Sequence, residues 1–122
     1  MNESLNKEIA RLANIWYNYV STDHHKDRDC HFYIETVWSY GEEPFYRAVH
    51  NGYIMEDWQS LKCNSYEIAQ KVLHNKLLNE IESAMIDCKD IVNGLTEVMD
   101  DYDVETAKRQ LEILSQYKIG DK

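Results

Sequence analysis

The sequence predicts a single α+β domain spanning residues 1–122, built from an N-terminal helix, a two-stranded antiparallel hairpin, a long helix and a short C-terminal helix. Toward both ends of the chain, apolar residues recur at spacings of three and four, the pattern of one buried helix face. Between these segments lies a stretch rich in β-branched and aromatic residues, interrupted by the turn-forming residues Gly41 to Pro44. With 122 residues, 43% of them apolar, the chain can form one core.

The first helix is predicted over residues 4 to 20. Either Asn2 or Ser4 is a suitable N-cap, and the polar run STDHHKDRD ends the helix. The residues of its apolar face alternate at spacings of four and three: Leu5, Ile9, Leu12, Trp16 and Tyr19.

The hairpin is predicted to pair a strand from Cys30 to Tyr40 with a strand from Phe45 to Met55. Its register is open between two alternatives. If Tyr40 and Phe45 close the hairpin directly, Glu35 faces His50, and the carboxylate can tune the charge of the imidazole.

A one-residue bulge at Gly41 places Trp38 opposite Ala48 instead. His50 then lies near Thr36 on the apolar face of the hairpin. The opposite face carries four polar residues: Glu35, Ser39, Arg47 and Asn51. We favour this bulged register because it separates apolar from polar side chains more cleanly.

The long helix is predicted from about residue 65 to residue 93, with Asn64 and Glu67 as a capping box and Gly94 as the stop. Its apolar stripe follows the three-four rhythm through His74, Leu78, Ile81, Met85, Cys88, Val92 and Leu95, widened by Ile68, Leu73, Leu77, Ala84 and Ile91. We expect Ile81, Met85, Cys88 and Val92 to be buried.

The short C-terminal helix is marked by Val104, Ala107, Leu111 and Leu114. Asp101 or Asp103 is the expected N-cap, and Gly120 lies just beyond the end.

Two arguments predict a homodimer. A helix from 65 to 93 would be roughly 43 Å long, whereas a compact domain of this size has a radius of gyration of only about 14 Å. The apolar stripe would therefore extend past its own domain unless the helix breaks. A two-stranded sheet also leaves open edges that can pair with a second chain.

The net charge of −9, from 22 acidic and 13 basic residues, excludes the ordinary basis of nucleic-acid binding, which is Lys and Arg contact with phosphates. A basic protein partner is compatible with it. The sequence has no signal-peptide pattern and no membrane-length apolar run, so we expect a cytoplasmic protein without a membrane partner. Cys30, Cys63 and Cys88 form no CxxC pair and are interpreted as free thiols.

Motifs for catalysis and for cofactors are missing from the sequence. There is no GxSxG elbow and no glycine-rich phosphate loop, so no cofactor is expected. Residues 23 to 31 contain competent metal ligands, namely His24, His25, Asp29, Cys30 and His31. Their spacing matches no known site type, and a solvated loop is the favoured interpretation. The alternative is a metal-assisted hydrolase that uses the His/Asp cluster at 23–31, namely His24, His25, Asp29 and His31, with His50 as acid or base.

These observations favour a non-enzymatic binding protein of the inhibitor, toxin-immunity or phage anti-defence type, which covers a protein target or sequesters a small molecule. We expect its contacts to come from the four polar hairpin residues and from an acidic cluster near the C-terminal helix. The candidate residues are Glu35, Ser39, Arg47, Asn51, Glu97, Asp100 and Asp101.

Overall fold

The computed structural model describes residues 2–20, 31–51, 58–94 and 101–118. The elements, in chain order, are α1 (Glu3–Val20), β1 (His31–Val37), β2 (Phe45–Asn51), β3 (Trp58–Gln59), α2 (Tyr66–Val92) and α3 (Asp101–Leu114), with a final 3-10 turn at Ser115–Lys118. The predicted α+β class and the order of helix, hairpin, long helix and short helix are confirmed. A third strand, β3, joins the two that were predicted.

The helix α2 lies at the centre of the fold. It has 27 residues and is therefore about 40 Å long, and α1, α3, β1 and β2 pack against it. The centre of its buried face is the row Leu73, Leu77 and Ile81, which are almost completely inaccessible to solvent. Met85 and Cys88 are buried as predicted, whereas Val92 is only half-buried because it lies in the last turn of the helix.

This burial bears on the argument for a dimer. The stripe of α2 from Ala69 to Cys88 is covered within one chain, because α1, α3 and the sheet pack along it. The length of the helix therefore does not by itself require a second copy, and dimerisation stays a prediction.

The ends of α1 and α2 follow capping rules, with one correction to the prediction. Asn2 caps α1, since its Oδ1 accepts a hydrogen bond from the Leu5 N–H at 3.0 Å. The cap of α2 is Ser65 rather than Asn64, because the Ser65 Oγ accepts from the Ile68 N–H at 3.1 Å. Gly94 follows α2 with a φ of +74°, which glycine adopts without strain.

The helix α3 begins at Asp101, earlier than the sequence predicted. Asp101 and Asp103 both lie inside it, so neither is the N-cap, and the capping position falls outside the described residues. Gly120 also lies outside them. None of the described helices is long and apolar enough to cross a membrane.

A buried amide joins the starts of α1 and α2. Gln70 is completely buried, and its Oε1 accepts the Asn2 backbone N–H at 3.0 Å. Its Nε2 donates to the Asn2 carbonyl at 3.1 Å and also to Asn6 Oδ1. Both polar atoms of this side chain have hydrogen-bond partners. These bonds offset the cost of removing the amide from water.

The sheet has the order β1-β2-β3 and is antiparallel throughout. Val37 lies opposite Phe45, and His31 lies opposite Asn51, so seven residues (38–44) connect the two strands. Both predicted registers are therefore wrong, because each assumed a shorter connection. His50 faces Phe32 rather than lying near Thr36.

The connection, which we call the hairpin loop (residues 38–44), contains a tight turn. The Glu42 N–H donates to the Ser39 carbonyl at 3.1 Å, and Gly41 has a φ of +77°. These features match a type II turn with glycine at its third position. The strand β1 ends at Val37, and the turn begins at Ser39. Trp38 and Ser39 therefore lie in the hairpin loop and not on the sheet as predicted.

Candidate binding surface

The two faces of the sheet differ in what covers them. Phe32, Ile34, Ala48 and Trp58 pack toward the buried face of the helices. The other face, which we call the outer sheet face, carries side chains that alternate with these residues: Tyr33, Glu35, Arg47, Val49, Asn51 and Gln59. Three of the predicted contact residues, Glu35, Arg47 and Asn51, lie on this face. Ser39 lies in the hairpin loop.

A shallow groove of about 260 Å³ crosses the outer sheet face. Buried Val49 lies beneath it, and the other lining residues are Tyr33, Glu35, Asn51, Trp58 and Gln59. The Asn51 Nδ2 donates to the Tyr33 hydroxyl at 3.4 Å, so two strands are linked across the groove. The volume of this groove is below the roughly 300–1,000 Å³ that is usual for small-molecule sites.

Two other grooves lie at the borders of the sheet. One of about 410 Å³ separates α1 from β1 and is lined by Ala13, Asn14, Tyr17, His31, Phe32 and Tyr33. The second, of about 450 Å³, runs between the β3 segment and the start of α2, and its apolar lining includes Leu61, Ile68 and Val72. Neither groove was predicted, since each depends on how the helices pack against the sheet.

Arg47 lies against an aromatic ring rather than against a carboxylate. Its Cζ is 5.0 Å from the centre of the Phe45 ring, and the Lys62 Nζ is 4.6 Å from the same centre. Glu35 is the cross-strand neighbour of Arg47, but the two do not form an ion pair. Phe45 is buried although it lies on the outer sheet face, because the two cationic side chains cover it.

A bulge brings Lys62 to this position. Tyr46 and Cys63 form an antiparallel bridge with hydrogen bonds of 2.9 and 2.8 Å, while Val49 pairs with Gln59 further along β2. The chain after β3 therefore has one residue more than β2 over this interval. The Ser60 Oγ accepts the Ala48 N–H at 2.9 Å, and the Leu61 side chain is 89% exposed.

The hairpin loop exposes two large aromatic side chains. Trp38 is 76% exposed, and Tyr40 is fully exposed at the turn. The favoured bulged register placed Trp38 opposite Ala48 and Tyr40 opposite Tyr46 on the apolar face of the hairpin, so it did not predict their exposure. The signal that could have identified them is the run Gly41 to Pro44, because four turn-forming or acidic residues in succession are difficult to accommodate in a tight hairpin closure.

His50 is a core residue. It is 1% exposed, and its ring stacks on Phe32 with centroids 4.4 Å apart and planes inclined by 20°. Trp58 is its neighbour on the other side, in β3. The predicted location of His50 on the apolar face is thus observed, in a setting where the ring is enclosed by aromatic side chains.

Several predicted site residues lie outside the described residues. Glu97 and Asp100 are among them, and for Asp101 only the backbone in the first turn of α3 is described. The candidate metal ligands His24, His25, Asp29 and Cys30 also lie outside the described residues. His31 is described and is exposed at the start of β1. Within the described ranges, no three His, Cys, Asp or Glu side chains are grouped as metal ligands.

Two of the three cysteines are described, and both are free and buried thiols. Burial raises the pKa of the Cys88 thiol, and the nearby Asp87 carboxylate acts in the same direction. The thiolate is the nucleophilic form of cysteine, so the raised pKa makes Cys88 a weaker nucleophile.

Arg47 and His50 are expected to respond differently to replacement by alanine. Arg47→Ala removes a partly exposed cation–π contact and should lower the free energy of unfolding by about 1 kcal/mol or less. His50→Ala leaves a cavity beneath Phe32 and should lower it by about 2 kcal/mol or more. Urea unfolding measures both, with exposed Lys71→Ala as the control. A larger loss for Arg47→Ala than for His50→Ala would contradict these assignments.

Comparison of the chain with protein-family models, with curated proteins and with solved structures finds no match.

Proposed function

We propose that this chain is a non-enzymatic binding protein that covers a protein target, and that Trp38 and Tyr40 of the hairpin loop are the main anchors of the contact. The observation that carries the proposal is the exposure of both rings on an ordered turn. Two large aromatic side chains left in water add no hydrophobic stabilisation to the folded chain. Their burial in a partner would remove on the order of 150–250 Å² of surface each.

The geometry of the loop suits an anchor. Tryptophan and tyrosine are enriched among the residues that dominate binding energy at protein interfaces. The hydrogen bond from the Glu42 N–H to the Ser39 carbonyl closes a turn that contains Tyr40 and begins one residue after Trp38. The backbone that carries the Tyr40 ring is therefore already ordered before binding, which lowers the entropy cost of the contact. The anchors would insert into apolar pockets of the partner.

Charge indicates the kind of partner. The chain carries −9 overall, and the hairpin loop itself contains Glu42 and Glu43 beside the aromatic rings. A target with a basic rim around an apolar pocket would complement this surface. Electrostatic attraction of this kind raises the association rate, and the rate falls as salt is added. Inhibitors, immunity proteins and phage anti-defence proteins act by covering a target in this way.

The free thiols Cys63 and Cys88 fit action in a reducing compartment, for which the cytoplasm is our proposal. Sequestration of a small molecule is less well supported, because the groove that contains the predicted residues Glu35 and Asn51 is small and shallow, and the two larger grooves contain none of the predicted contact residues.

Homodimerisation is part of the proposal. In the described part of the sheet, β1 is an edge strand of seven residues with no proline or lysine to discourage pairing. Sedimentation equilibrium at micromolar concentration should give about twice the chain mass of 14.5 kDa. A mass equal to one chain under these conditions would refute the dimer but not the role of the loop.

The role of the loop can be tested with a photo-crosslinking amino acid placed at position 40 in wild-type sequence and in a Trp38→Ala background. We expect one abundant adduct from cells that express the natural partner, and its loss in the Trp38→Ala chain. Position 82, on the exposed side of α2, is the matched control and should give no adduct. The stability of Trp38→Ala should stay within about 0.5 kcal/mol of the wild-type value, since the ring is exposed.

Equal adduct yields from positions 40 and 82, or an adduct that survives Trp38→Ala unchanged, would contradict the assignment of the loop as the binding site.

A further inference from the structure

Arg47 and Lys62 are brought side by side by the backbone. The antiparallel bridge between Tyr46 and Cys63 puts the residue after Tyr46 beside the residue before Cys63. Both backbone hydrogen bonds of this bridge are shorter than 3.0 Å, and the bulge at Leu61 sets which residue of the segment arrives there. The pairing of these two cations is therefore a property of the fold.

Like charges that face one another on neighbouring strands destabilise a sheet. The chain has 22 acidic residues available against 13 basic ones, yet neither Arg47 nor Lys62 has a carboxylate within ion-pair distance among the described residues. Glu35 is the nearest candidate by register, and the Arg47 guanidinium lies over Phe45 instead. Among the described residues, these two cations thus lack a counter-charge, although the chain as a whole is strongly acidic.

Both cations lie against the Phe45 ring. The guanidinium carbon and the ammonium nitrogen lie 5.0 and 4.6 Å from the same ring centre, so the two groups are within about 10 Å of each other. The negative face of the ring attracts each cation and limits its rotamers. Lys62 is exposed and Arg47 is only partly buried, so both side chains can still be reached from solvent.

We propose that Arg47 and Lys62 form a binding site for an oxyanion, either a phosphate group or a carboxylate. A guanidinium can donate two parallel hydrogen bonds to two oxygens of such a group, and the lysine adds a second positive charge from the neighbouring strand. Binding would also relieve the repulsion between the two cations. The site is independent of Trp38 and Tyr40, so its failure would leave the function proposed for the hairpin loop untouched.

Amide and Arg side-chain NMR shifts test the site on the full chain, titrated with inorganic phosphate and separately with acetate at constant ionic strength set by chloride. We expect saturable shifts at Phe45 to Arg47 and at Lys62 with a dissociation constant in the millimolar range. Arg47→Gln and Lys62→Gln should each weaken binding by about tenfold, as expected for loss of a charge-assisted hydrogen bond. Lys71→Gln, which removes an exposed lysine of α2, is the matched control and should bind like the wild type.

Saturation by phosphate alone would support the site and assign it to a phosphate ligand. Comparable saturation by acetate would support it and assign it to a carboxylate, such as an acidic side chain of a partner. Shifts that rise linearly without saturation, or equal weakening by Lys71→Gln and Lys62→Gln, would overturn the proposal. If Arg47→Gln unfolds the chain, Lys62→Gln alone decides, because Lys62 lies in an exposed segment.

Discussion

The row of apolar side chains on α2 must be removed from water along most of a 27-residue helix, and the rest of the molecule is arranged to do this. No single neighbouring element covers this whole row of side chains. α1 packs with Ile9, Leu12 and Trp16 in the core, and α3 contributes Leu114, while the inner face of the sheet contributes Ala48. The completely buried Gln70 fixes how α1 and α2 meet, because its amide must bond the start of α1 to be satisfied.

The same constraint explains how so small a sheet persists. A hairpin with a two-residue third strand would be marginal alone in water, and packing of one face on a helix is the usual remedy. Here the aromatic and imidazole rings of Phe32 and His50 stack against each other on that inner face. The outer sheet face and the hairpin loop are not covered by the helices, and they carry the polar, cationic and exposed aromatic residues on which the functional proposals rest.

Periodicity was a reliable guide where one long element determines the outcome. The helical stripes and the burial of Ile81, Met85 and Cys88 could be read from spacing alone. Register could not, because it depends on where the turn forms, and the Ser39–Glu42 hydrogen bond forms a turn two residues after β1 ends. That the cap of α2 is Ser65 and not its neighbour Asn64 is likewise a matter of one residue.

The candidate site shows the same division. Alternation along β2 correctly placed Arg47 and Asn51 on one face and His50 on the other. Glu35 shares the face of Arg47 as the bulged register predicted, because the observed partner of Ala48 is Ile34 rather than Trp38, which is an even shift. The approach of Lys62 to Arg47 could not be predicted, since it requires both β3 and the bulge at Leu61. The exposure of Trp38 and Tyr40 was missed for the same reason as the register.

The dependence of the whole fold on the buried face of α2 is tested most directly by comparing Leu77→Ala with Leu78→Ala in urea unfolding, followed by helical circular dichroism and by tryptophan fluorescence. The two changes are identical in helix propensity, but Leu77 is completely buried and Leu78 only half-buried. Leu77→Ala should lower the free energy of unfolding by about 2.5–5 kcal/mol, and Leu78→Ala by roughly half of that or less. Both probes should report one shared transition. Equal losses for the two variants, or a fluorescence transition at a higher urea concentration than the helical transition, would contradict the account.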